Sequence, residues 1–127
     1  MTIDEILAER DKAKAKLIAC ASSVGTTLDA LRRKIPKTDA DKADIRSLED
    51  AQLDISRADA ELARFTADAI ENSATLGAII SALKEVTQEL KDKKDELDHL
   101  AGIAATVAAV VSAIETVVAE AAQHLPS

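Results

Sequence analysis

The sequence predicts an all-α protein, an elongated antiparallel helical bundle of coiled-coil-like helices. Three observations predict it. Only three glycines and two prolines punctuate 127 residues, too few for the turns of a β-sheet protein. The hydrophobic share of 47% is nearly all Ala, Leu, Ile and Val, with Phe65 the lone aromatic, which suits helix seams better than an aromatic-walled pocket. Apolar residues also recur at alternating spacings of three and four along most of the chain. The length suits a single helical domain, 1–127, with a core of modest size.

The first helix is expected over about 3–35. Thr2 can cap its free amides, with Glu5 three residues on reaching back. Ile3, Leu7, Leu17, Ala21, Val24, Leu28, Leu31 and Ile35 form its stripe, interrupted by Arg10 and Lys14. Arg32, Arg33 and Lys34 meet the negative end of the helix dipole before Pro36 stops it. The single cysteine, Cys20, reads as a small seam residue rather than a nucleophile.

Thr38 or Asp39 opens the next element, and here the heptads are strongest. One seam position reads Leu48, Ile55, Leu62, Ala69, Leu76, Leu83, Leu90 and Leu97, and its partner Ala51, Ala58, Phe65, Asn72, Ile79, Val86, Lys93 and Leu100. The phase never slips, so one long helix is expected over about 39–98. Asn72 has two readings. It is a polar register residue inside the seam, or Asn72-Ser73-Ala74-Thr75 is a cap at a kink near 72–77, which would make four helices of three.

The same phase continues past Gly102 through Val107, Val111, Ile114 and Val118. An unbroken helix from Thr38 onward would be a rod of roughly 130 Å. A break near Asp98 to Gly102 and a last helix over about 102–125 are therefore expected, since glycine favours the position just past a helix end. The first and last helices would then lie antiparallel along the two halves of the middle one. Charge favours the first pairing: residues 1–37 carry eight basic and five acidic groups, and residues 38–72 carry four and ten.

Seam width bears on association. The middle helix has mostly polar flanks, whereas Ile103, Val110 and Val117 add a third apolar column to the last one. One hairpin partner cannot cover it, so a homo-oligomer is expected, with an association surface of Leu76, Ile79, Leu83, Val86, Leu90, Val107, Val111, Ile114 and Val118.

No chemistry-bearing pattern competes with this. Glu96-x-x-His99 matches the local unit of di-iron bundles, but it occurs once and its histidine lies outside the seam, so a solvated helix-end residue is expected. Glu120 and His124, four apart, read as an ion pair. There is no phosphate-cradling glycine loop and no cofactor or metal motif, so no enzyme activity is expected. A net charge of −7 disfavours nucleic acid as a partner. The N-terminus opens directly into a charged helix without the pattern of a signal peptide, which makes the cytoplasm the expected location.

The expected function is that of a non-enzymatic interaction or assembly protein, binding itself or another helical protein. Its rival is an amphitropic protein that coats a lipid or granule surface, or inserts as part of a pore, using residues 100–122; Glu115 opposes deep insertion. A weaker rival is an acidic decoy presenting residues 38–72 to a basic partner.

Overall fold

The structure is a computed structural model that describes residues 2–100 and 102–126. These residues form an all-α bundle of five helices: α1 (Ile3–Arg33), α2 (Asp39–Ala63), α3 (Ala67–Glu71), α4 (Ser73–Glu96) and α5 (Ile103–Ala122).

The four long helices form a closed ring of contacts, α1 against α2, α2 against α4, α4 against α5, and α5 back against α1. Ion pairs fix their directions. Arg32 meets Glu49 and Lys14 meets Asp59, so α1 and α2 run antiparallel; Lys93 meets Asp50 and Arg57 meets Glu89, so α2 and α4 do the same. The charge asymmetry expected to pair the first helix with residues 38–72 is therefore realised in named contacts, each worth ~0–1 kcal/mol at the surface.

Local chemistry explains the boundaries. The Thr2 hydroxyl accepts the Glu5 N–H and caps α1. Lys34 is already extended, and Ile35, expected on the seam, is 90% exposed: the residue before a proline is pushed out of the helical region. Thr38 caps α2 through a complete capping box, its hydroxyl accepting from Asp41 N while Asp41 accepts from Thr38 N at 2.9 Å. Gly102 starts α5 at φ 81°, a left-handed conformation that favours glycine.

The expectation of one helix over 39–98, and so of three long helices, is corrected. The chain turns at 64–66 and again at 72. Thr66 accepts from Ala69 N at 3.1 Å and Asn72 from Thr75 N at 3.1 Å, so each short polar side chain offers the backbone a cap in place of helix continuation. Asn72 is thus the exposed cap of α4 and not a buried register residue. The apolar phase survives the corner because α2 and α4 both face one core. The first and last helices do not share the middle one end to end; each touches two long neighbours.

The core runs the length of this ring and includes Ile6, Leu17, Cys20, Val24 and Leu28 from α1, Leu48 and Leu62 from α2, and Phe65 at the corner, all nearly inaccessible to solvent. Ala21, placed on the stripe by its spacing, is exposed. Leu7, Leu31 and Ile3 are half-buried against the core edge. With two long neighbours each, helices of this length bury an apolar stripe wider than a two-helix seam.

Candidate functional site

All nine residues expected to form an association surface lie inside the chain. Leu76, Ile79, Leu83, Val86, Leu90, Val107 and Ile114 have no accessible surface, and Val111 and Val118 keep only 7% and 8%. The third apolar column of the last helix is also buried: Ile103, Val110 and Val117 are covered by α1 and α4 in the same molecule. The wide seam is satisfied in cis, so these residues cannot meet a partner unless the bundle opens.

The surface that remains has two different faces. Between α2 and α4 runs a charged groove of about 400 Å³, lined by Asp50, Leu53, Asp54, Arg57, Glu89, Asp92, Lys93 and Glu96. Asp54 is the buried member, 7% accessible. Burial pushes its carboxyl up to about 6, the hydrogen bond and charge of Glu89 push the same way, and Arg57 at 3.8 Å and Lys93 oppose them only in part. Arg57 also pairs with Glu89, so one guanidinium bridges two carboxyl groups across the helix interface.

Farther along this groove, burial pulls the Lys93 ammonium down, but Glu96 at 3.2 Å and Asp50 at 3.5 Å outweigh it and leave it raised. Glu96 is lowered by Lys93 and by the Ser47 hydroxyl at 3.1 Å. Spacing along the sequence had placed Asp54 among ordinary solvated flanks; its burial follows from the approach of α4, which no local pattern encodes.

The opposite side is formed by α1 and α5, and the charge of α1 lies on either side of its middle stretch. Residues 19–28 hold no charged group, and α5 holds only Glu115 and Glu120. A groove of about 320 Å³ between the two helices is lined by Ser22, Ser23, Thr26, Thr27, Gly102, Ile103 and Thr106. Of its lining, Ser22 and Thr26 are exposed, and outside it so are Ala19 of α1 and Ala105, Ala109 and Ser112 of α5. Among the described residues α5 is the one helix long and apolar enough to cross a membrane, with a mean hydropathy of 1.8 over its apolar window, only 39% of which is buried.

Cys20 sits at this interface under the surface. Burial pushes its thiol up, and the Thr106 side chain opposes this to a smaller extent, so the sulfur is held as the thiol and packs as a small hydrophobe.

Glu96 and His99 separate. His99 Nε2 lies 2.8 Å from Asp44 Oδ1, whereas Glu96 turns to Lys93 and Ser47, so the Glu-x-x-His pair points to different partners. Glu120 Oε2 is buried without a hydrogen-bond partner, and His124 lies in the turn after α5. Among the described residues no group of three or more His, Cys, Asp or Glu is placed to hold a metal ion. No protein-family model, curated protein or solved structure matches this chain.

Proposed function

We infer that the chain is a non-enzymatic helical interaction protein that associates, with a second copy first, through the outer face of α5 and the uncharged stretch 19–28 of α1. One observation carries this reading: α5 is apolar enough for an interior, yet only 39% of its apolar window is buried in its own molecule. Its outward residues are small. A face of Ala, Ser and Thr lets a partner helix approach closely, and of the two carboxylates on α5 Glu115 already lies 3.5 Å from Lys91. Apolar area removed from water there contributes about 25 cal/mol per Å² before the entropy of association is subtracted.

The test is solution mass and shape by light scattering and small-angle X-ray scattering. A concentration-dependent dimer that Ala109→Glu reduces to monomer, with helicity unchanged, supports the reading. A wild-type monomer at every concentration overturns it.

A second reading is favoured by the length of α5. Its 20 residues span roughly 30 Å, the thickness of a hydrocarbon core, so the same face suits adsorption on a lipid surface. Uncharged vesicles added to the scattering experiment separate the two: a monomer that moves onto neutral lipid, with a change in α5 protection from hydrogen exchange, favours the membrane.

A further inference from the structure

We propose that the loop joining α1 to α2 is a docking tip for an anionic lipid surface, with Ile35 entering the headgroup layer and Arg33, Lys34 and Lys37 meeting its negative groups. The last turn of α1 and the loop after it read Arg32-Arg33-Lys34-Ile35-Pro36-Lys37, four cations in six residues, with no acidic residue between Asp29 and Asp39. At its tip stands the most exposed of the large hydrophobic side chains. Ile35 is 90% accessible, whereas Ile18 and Leu53 project from the sides of helices at 69% and 66%.

Two of the four cations are already paired, Arg32 with Glu49 and Lys34 with Asp41, each at 3.1 Å. Arg33 is exposed and forms no ion pair among the described residues, and Lys37 donates to the Lys34 carbonyl at 3.1 Å, which draws it back against the loop. Of the neighbouring acids, Asp41 accepts from Thr38 N and pairs with Lys34, Asp44 faces His99, and Asp39 is exposed at the start of α2. The overall charge of −7 does not reside here. α2 carries eight acidic groups against three basic, and α5 carries two carboxylates and no base, which together account for it.

A convex tip with one protruding aliphatic side chain ringed by cations suits a headgroup layer better than an acidic polypeptide, which would need a groove to lie in. A short apolar anchor and a basic cluster are the two weak signals that together give reversible adsorption. Because the loop lies at the end of the bundle, this contact stands the helices upright on the membrane. It is independent of the α1–α5 face, which would lay them flat.

The experiment is co-sedimentation of the full chain with vesicles of phosphatidylcholine alone and of phosphatidylcholine with phosphatidylserine, at low and high ionic strength. Binding is expected only to the anionic vesicles, weakening as salt rises. Each cation near the surface is worth about fivefold in partition, so Arg33→Glu with Lys37→Glu is expected to lower binding by more than about twentyfold. Ile35→Ser lowers it by about tenfold. Arg33 and Ile35 are exposed and Lys37 is half-buried, so circular dichroism should show the fold intact. Ala109→Glu, which disrupts the α1–α5 face, should leave this binding unchanged.

Absence of binding, equal binding to the neutral vesicles, or loop variants that bind as well as wild type would each overturn the proposal. So would binding of soluble polyglutamate as tight as that of the anionic vesicles and indifferent to Ile35→Ser, which would make the loop a protein contact.

Discussion

Arg10 Nη1 donates to the carbonyl oxygen of Phe65 at 2.5 Å, joining the first helix to the corner between α2 and α3 across 55 residues of sequence. The Phe65 ring is fully buried and its backbone sits where α2 has ended, so this carbonyl has lost its helical partner. The guanidinium, 21% accessible, supplies one. Arg10→Met is expected to lower the unfolding free energy by about 1–3 kcal/mol, the usual range for a charged hydrogen bond whose acceptor is left unsatisfied. Urea denaturation checks it; a change within error would mean that water replaces the guanidinium.

Asp54 makes stability depend on pH in the unusual direction. Its folded pKa of about 6 lies above the ordinary 3.8, so the native state binds a proton that the unfolded chain releases. The stabilising contribution is fully present below the unfolded value and is lost as pH rises through about 6. Stability is therefore expected to increase on acidification from pH 7 toward pH 5, by about 1 kcal/mol. Asp54→Asn should raise stability at pH 7 and flatten this segment of the profile. Asp41 acts oppositely: the Thr38 N–H and Lys34 hold its carboxyl low, so its contribution is lost only as pH falls through that lowered value.

Leu83 and Ala109 separate folding from association. Leu83 is fully buried, and Leu83→Ala is expected to cost about 2–5 kcal/mol through the cavity it leaves. Thermal unfolding by circular dichroism measures this. Ala109 lies on the exposed side of α5, so Ala109→Glu should shift the melting temperature by no more than a degree or two while removing the dimer. If Leu83→Ala instead lowered the oligomer mass at full stability, the seam would be an interface after all.

Gly102→Ala isolates a backbone effect. A Cβ at Gly102 meets nothing within 4 Å, so no clash contributes, but its φ of 81° is strained for an L residue. A loss of about 1–2 kcal/mol is expected, with the bundle otherwise unchanged. Gly102→Asn should recover part of it, because Asn tolerates the left-handed region.

The fold class was legible because scarce glycine and proline leave little but helix, and because Leu48 through Leu100 keep one phase. Caps were legible where a short hydroxyl or amide preceded a helical run, as at Thr2, Thr38 and, in one of two readings, Asn72. The turn at 64–66 was not. Leu62, Phe65, Ala69 and Leu76 continue the seam through it, and periodicity reports which side faces a core without reporting whether the axis has reversed. The same blindness misplaced the nine seam residues: a stripe that must be covered looks the same whether its cover comes from the same chain or another. Arg10 read as an interruption of the stripe because its partner is a backbone atom 55 residues away.

That uninterrupted phase through the corner has a consequence for how many shapes this chain can take. If residues 64–72 became helical, α2 and α4 would fuse into one rod whose apolar stripe is still continuous, and two such molecules could exchange halves. The seam contacts of the closed form would be remade between copies, whereas the Arg10 bond to the Phe65 carbonyl and the corner packing of Ile70 would not. The two forms then differ in the caps at Thr66 and Asn72, the Arg10–Phe65 bond, the setting of Phe65 and Ile70, and the entropy of joining two molecules. Thr66→Ala with Asn72→Leu removes both caps and keeps the heptad, and concentrated refolding of that variant should yield an exchanged dimer of nearly twice the length. The caps at Thr66 and Asn72 would then be the few polar atoms that decide whether one copy or two complete the same interior.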